Sequence, residues 1–320
     1  MLEPRFAHTA SILNNGKVLV AGGANSIGYL NSAELYDPIT GLWTNTGNMG
    51  TARSYHTAST LSNGMVLVAG GGNFNAELYN PETGLWTPTG NMSTPRTYHT
   101  ASTLSNGMVL VVGGMDSNAW VGSAELYDPA TGLWTPTGNM TIIRQFHTAS
   151  ILNNGKVLVA GGITRDGYFN SAELYDPTAG LWTQTGNTAT ARWFHTASVL
   201  SNGKVLVFGG FGLNGLLNIA ELYDPAAGLW TQTGNMNTPR FYHTASTVNN
   251  AKVLVAGGND GYGTSNNTEL YDPAIGLWTP TANMTTGRWS HAALILNNGK
   301  VLIVGGVSSN SIFNGAEIYG

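Results

Sequence analysis

The sequence predicts an all-β protein: a seven-bladed β-propeller of four-stranded antiparallel blades, with the last blade lacking its own outer strand. Three observations carry this. One sentence of sequence is rewritten seven times along the 320 residues. Each copy but the last holds four short strand-like segments separated by turn residues. The second segment is apolar at successive positions, as suits a strand covered on both faces.

The repeat is anchored by the seven histidines, His8, His56, His99, His147, His195, His243 and His291, spaced 48, 43, 48, 48, 48 and 48 residues apart. A period in this range marks a repeat architecture. Repeat four shows the elements in order. Strand a, from His147 to Leu152, alternates polar and apolar residues. Asn154-Gly155 follows, a dipeptide that predicts a type I′ hairpin turn with both central residues at positive φ. Strand b, Lys156 to Ala160, is stopped by Gly161-Gly162, where unusual φ/ψ or a close backbone approach is expected. Strand c, Ala172 to Tyr175, ends at Asp176-Pro177, and strand d runs from Leu181 to Thr185.

Repeats begin near residues 5, 53, 96, 144, 192, 240 and 288 and form one domain over 1–320, because a blade cannot bury its faces alone. Repeat two has a b–c loop of four residues instead of nine, which accounts for the spacing of 43. Repeat six carries Ala251 in place of the turn glycine, so a different turn or local strain is expected there. Repeat seven has strands a, b and c but no strand d. The free edge of its strand c is a place for pairing with another chain, and the protein is otherwise expected to be a monomer.

A Gly-Gly pair closing one strand, then Tyr, then Trp at fixed offsets, with a period of about 50, resembles the kelch signature. The chain is similar to a bacterial-type kelch protein over nearly its whole length. A WD-type propeller fits less well, since no Gly-His or Trp-Asp pair recurs in register.

Composition narrows the function. Charged residues are 9% of the chain against roughly 25% in an average soluble protein, and the net charge is −4 with no basic cluster. Nucleic acid is therefore a poor partner. With no cysteine there is no disulfide and no thiolate metal site. The longest apolar runs are single strands, too short to span a membrane as helices, so no membrane partner is expected. Only Met1 to Pro4 precede the first repeat, so no signal peptide is expected in the chain as it stands, and the compartment is left open.

Most charges belong to the repeat. Seven arginines (Arg5, Arg53, Arg96, Arg144, Arg192, Arg240, Arg288) match seven glutamates (Glu34, Glu77, Glu125, Glu173, Glu221, Glu269, Glu317). Equal counts suit buried pairs that form a hydrogen-bonded network with the histidines. The kelch resemblance implies a second option. In some kelch proteins that recognise acidic peptides the corresponding arginines reach the ligand, which makes Arg144, Arg192 and Arg240 candidates at a channel mouth. One histidine per blade spreads the imidazoles around a circle, whereas zinc needs ligands converging on one point, so no metal and no cofactor are expected.

Catalysis needs residues that break the repeat, and off-repeat acids such as Asp116 and Asp260 lie in different blades. Some kelch-fold enzymes are copper oxidases built on a tyrosine–cysteine crosslink, chemistry closed to a chain without cysteine. The expectation is therefore non-catalytic.

Antiparallel order puts the d–a and b–c loops on one face, and that face carries the variation. After the repeat arginine it reads Phe6-Ala7, Ser54-Tyr55, Thr97-Tyr98, Gln145-Phe146, Trp193-Phe194, Phe241-Tyr242 and Trp289-Ser290. The b–c loops add Tyr29, Phe74, Trp120, Tyr168, Tyr262 and Phe313 among others. Rings among Asn, Ser and Gly suit recognition of a protein, peptide or glycan. The second ring of each pair is expected to pack between blades. Trp193, Phe241 and Trp289, with Phe6, Trp120, Tyr168 and Tyr262, are the candidate ligand contacts. The alternative reading is a structural repeat module, since the blades are so alike.

Overall fold

The computed structural model describes residues 1–117 and 119–320. Seven antiparallel sheets follow one another, each with its strands in simple sequence order. Six have four strands; the seventh has three. Blade four is representative: strand a Thr148–Ile151, b Val157–Ala160, c Ala172–Asp176 and d Leu181–Gln184. Two-stranded ribbons at Ile163–Thr164/Gly167–Tyr168 and Phe211–Gly212/Gly215–Leu216 extend the b–c loops of blades four and five.

Every b strand is buried at all four of its positions, as its unbroken apolar run requires. The core is not central but divided among the blade interfaces. Leu104, Leu110 and Val112 of blade three, for example, pack on Val157, Val159 and Tyr175 of blade four. Val18 and Val20 of blade one pack in the same way on Leu302 and Val304 of blade seven, so the ring closes. The a strands are innermost, each beside the next, with Thr9–Ile12 beside Ala292–Ile295.

Two polar stations recur at the interfaces. The strand c tyrosine hydroxyl meets a threonine hydroxyl of the preceding blade at 2.7–2.8 Å, as in Thr137 with Tyr175. The strand d tryptophan donates its Nε1–H to a glycine carbonyl of the preceding blade, as Trp182 does to Gly138 at 2.7 Å. That glycine is required: a Cβ on Gly138 would lie 2.3 Å from the Gly180 carbonyl of the next c–d turn. The equivalent position beside three-stranded blade seven is Ala282, where no such turn stands. Trp278 departs from this pattern. Phe208 replaces a small residue in strand b of blade five, Trp278 turns edge-on to it at 4.9 Å, and its Nε1 has no acceptor among the described residues.

Two turns differ from or sharpen expectation. The Asn-Gly a–b turns are not type I′: only the glycine, such as Gly155 at φ 79°, has positive φ. Leu152 N bonds to Lys156 O and Gly155 N to Leu152 O, which is a type I turn followed by a glycine bulge. The extra loop residue takes up the twist that a type I′ turn would otherwise supply. In repeat six the expected anomaly is present: Asn249–Ala251 forms a 3₁₀ turn with Asn250 at φ 70° and Ala251 at φ 59°.

Candidate ligand-binding face

The d–a connection and the b–c loop of a blade are joined by backbone bridges, such as Phe6 with Ala24, Gln145 with Ile163, Trp193 with Phe211 and Trp289 with Val307. One face of the disc is therefore built from these two sets of loops.

The arginines do not line it. Arg144, Arg192 and Arg240 have no exposed surface. Their Nη2 atoms lie 2.9, 2.6 and 2.9 Å from Glu173, Glu221 and Glu269, and their Nη1 atoms donate to the carbonyls of Gly161, Gly209 and Gly257. Each glutamate also caps the d–a backbone: Glu173 accepts from Thr141 N and Ile142 N. The channel-mouth reading of these three residues is corrected accordingly, because a guanidinium committed to its own blade has no face left for an anion. The pairs hold each d–a connection against its own strands b and c.

The histidines stand apart from these pairs. Each Nε2 from His56 to His291 lies 2.8–3.0 Å from the Oγ1 of a threonine on the preceding a strand, as His147 does from Thr100. Burial, with the neighbouring arginine second, lowers the pKa of His56, His147 and His291 to about 3 and that of the other four well below the ordinary value. All seven are neutral. His8 differs: the residue facing it is Ala292, not threonine, and among the described residues its Nε2 lacks the hydroxyl partner that the other six have. Among the described residues no three His, Asp or Glu side chains converge as a metal site would need.

The residue just before each histidine adopts the left-handed conformation: Ala7, Tyr55, Tyr98, Phe146, Phe194, Tyr242 and Ser290 have φ of 50–55°. This costs about 1–3 kcal/mol apiece in a residue with a Cβ. The cost is met by backbone bonds from blade to blade, such as Tyr55 N to Ala7 O at 3.1 Å and Ala7 N to Ser290 O at 3.1 Å. The conformation throws five rings together at the mouth of the channel. Centroids along Tyr55, Tyr98, Phe146, Phe194 and Tyr242 are 4.4, 4.2, 3.9 and 3.9 Å apart. These rings do pack from blade to blade, but around the axis. Burial raises the phenol pKa of Tyr55, of Tyr98 to about 12, and of Tyr242 further, so all three hydroxyls stay neutral donors.

A second tier surrounds this arc. Trp193 lies 4.2 Å from Phe194 and parallel to Tyr168 at 6.0 Å; Phe241 and Trp289 lie 5.3 and 5.1 Å from Tyr242. Phe211 bridges Trp193 and Phe241. The structure thus brings Trp193, Tyr168, Phe241 and Trp289 into one aromatic surface over blades four to seven. The other three candidates sit apart. Phe6 is at blade one. Trp120 lines a separate hollow of about 380 Å³ with Ile143, Arg165, Asp166 and Phe169. Tyr262 stands fully exposed on the blade six loop. Missing from the candidates is Phe211, whose place opposite Trp193 only the b–c ribbon reveals.

A model of the KLHDC2/KLHL20/DRC7 Kelch-repeats domain matches residues 135–306, more than half of the chain, and one of the Kelch motif matches 5–50 and 96–141. The chain belongs to the kelch-repeat family. Its kelch repeats run through seven blades with three strands in the last. No curated protein matches the sequence. Among solved structures, this kelch propeller is similar to a fungal alcohol oxidase of the AA5 family in complex with copper. The two are 22% identical with a TM-score of 0.78, over 95% of this chain and 70% of that one. At that identity the likeness speaks for the fold alone.

Proposed function

We propose that the protein is a non-catalytic binding module whose d–a/b–c face recognises a protein, peptide or glycan. The observation that carries this reading is the two-tier aromatic surface of Trp193, Tyr168, Phe211, Phe241 and Trp289 set against the five-ring arc. Rings of this kind offer large contact area at little cost in side-chain entropy. They stand at the positions that vary from blade to blade, on a frame whose charges are paired inside. The kelch-repeat family is typically non-enzymatic, which supports the same reading.

The test is a combined glycan and peptide array probed with the native chain and with a Trp193→Ala, Trp289→Ala double variant. Loss of hits in a variant that melts as the native protein does is the expected result. Hits untouched by the double substitution would move the site off this surface. A blank array would favour a structural module instead.

A further inference from the structure

The arc at the channel mouth is open in one sector. Five blades place a ring at the left-handed position; blades one and seven place Ala7 and Ser290 there, and these two are neighbours joined by a backbone hydrogen bond. In the same sector Ala292 stands where six other blades have threonine, leaving the His8 Nε2 without a hydroxyl partner, and the Ser290 hydroxyl is buried without a partner among the described residues. Three departures from the repeat therefore coincide at one seam. They remove two rings and one hydroxyl from the wall and leave polar groups unanswered.

The gap is edged by flat faces and phenol hydroxyls. Tyr242 and Trp289 stand on one side and Tyr55 on the other, followed by Tyr98. Tyr29, largely exposed on the blade one b–c loop, lies close enough to Tyr55 and Tyr98 to be felt electrostatically by both. The two nearest repeat arginines, Arg5 and Arg288, are buried in ion pairs with Glu34 and Glu317. The sector thus offers ring faces and hydroxyls rather than charge.

We propose that this gap over the seam between blades seven and one is a binding site for one neutral pyranose ring of a glycan, seated between Trp289 and Tyr242 on one side and Tyr55 on the other. A pyranose has an apolar face that covers an aromatic ring and an equatorial rim of hydroxyls that pairs with phenol groups. An aromatic peptide side chain would match the faces but bring no rim of hydroxyls to the phenols, of which Tyr55 and Tyr98 already hydrogen-bond each other. The inference rests on the binding-face reading above and narrows it to one ligand class and one sector.

The experiment uses the full chain, ¹³C-labelled at its aromatic and alanine positions, titrated into the millimolar range with the methyl glycosides of glucose, galactose and N-acetylglucosamine. Shifts confined to Ala7, Tyr55, Tyr242 and Trp289 are expected. Ser290→Tyr and Ala7→Tyr close the gap with the residue that other blades already hold in this conformation, so both should fold, and a melting curve checks it. Each should weaken the glycoside by about tenfold or more, the worth of roughly one well-stacked ring. Glycoside binding that survives both variants would overturn the seam while leaving the binding face in place. A native protein that ignores all three glycosides, yet binds a peptide dependent on Trp193 and Trp289, would overturn the glycan and keep the face. If neither binds, both readings fail.

Discussion

Lowering the pH should unfold this propeller before its carboxylates titrate. The seven histidines are buried and neutral, with folded pKa values displaced below the ordinary value of 6.5, to about 3 for His56, His147 and His291. Below pH 6.5 the unfolded chain takes up protons that the folded chain refuses, so stability falls as pH falls and the loss continues towards pH 3. Each such group removes about 1.4 kcal/mol per pH unit in that window. At pH 5.5 the seven together remove about 10 kcal/mol, comparable to the whole stability of an ordinary domain of about 5–15 kcal/mol. Cooperative unfolding near pH 5 is the expected outcome. The assay is urea unfolding by tryptophan fluorescence at steps from pH 8 to 5, with proton uptake taken from the slope of stability against pH. An uptake of about six protons near pH 5.5 is expected, and His147→Gln should lower it by about one. An uptake of about two or fewer would refute the reasoning, because it would mean the imidazoles protonate inside the fold.

Two further outcomes follow from the blade interfaces. Glu173→Gln leaves Arg144 charged and buried without its counterion and should cost about 3–5 kcal/mol in urea unfolding, whereas Lys156→Ala, which breaks a partly exposed pair with Asp176, should cost under about 1 kcal/mol. Gly138→Ala drives a Cβ against the Gly180 carbonyl and should cost about 1–3 kcal/mol, while Ala282→Gly should change stability by about 0.5–1 kcal/mol at most; equal losses at the two sites would contradict the packing described for the c–d turns.

Much of this was legible in the letters. Seven frames in register and a Gly-Gly pair ending each apolar strand fix the blades. The match of seven arginines to seven glutamates points to the internal pairs. The direction of each arginine was not legible, because three residues before a histidine is compatible with facing inward or facing the mouth. Only the folded d–a connection, capped by the glutamate, decides it. The Asn-Gly turn misled for a different reason. The dipeptide favours positive φ somewhere, but whether asparagine or only glycine takes it depends on which residues pair across the hairpin. The left-handed position before each histidine left no compositional trace, since Tyr, Phe, Ala and Ser all occupy it. The gap at Ala7 and Ser290 could be read only once blades one and seven were seen as neighbours, 283 positions apart in the chain.

The threonine–histidine stations bear on how such a ring could grow or shrink. Blades one to six each offer a threonine forward and, from blade two onward, a histidine back, so recombination that duplicates or deletes a 48-residue unit among them joins ends that already fit. A unit copied from blade seven brings Ala292 instead and leaves the next histidine stranded in the wall. The seam between blades seven and one is therefore the interface whose two ends match neither each other nor the other six.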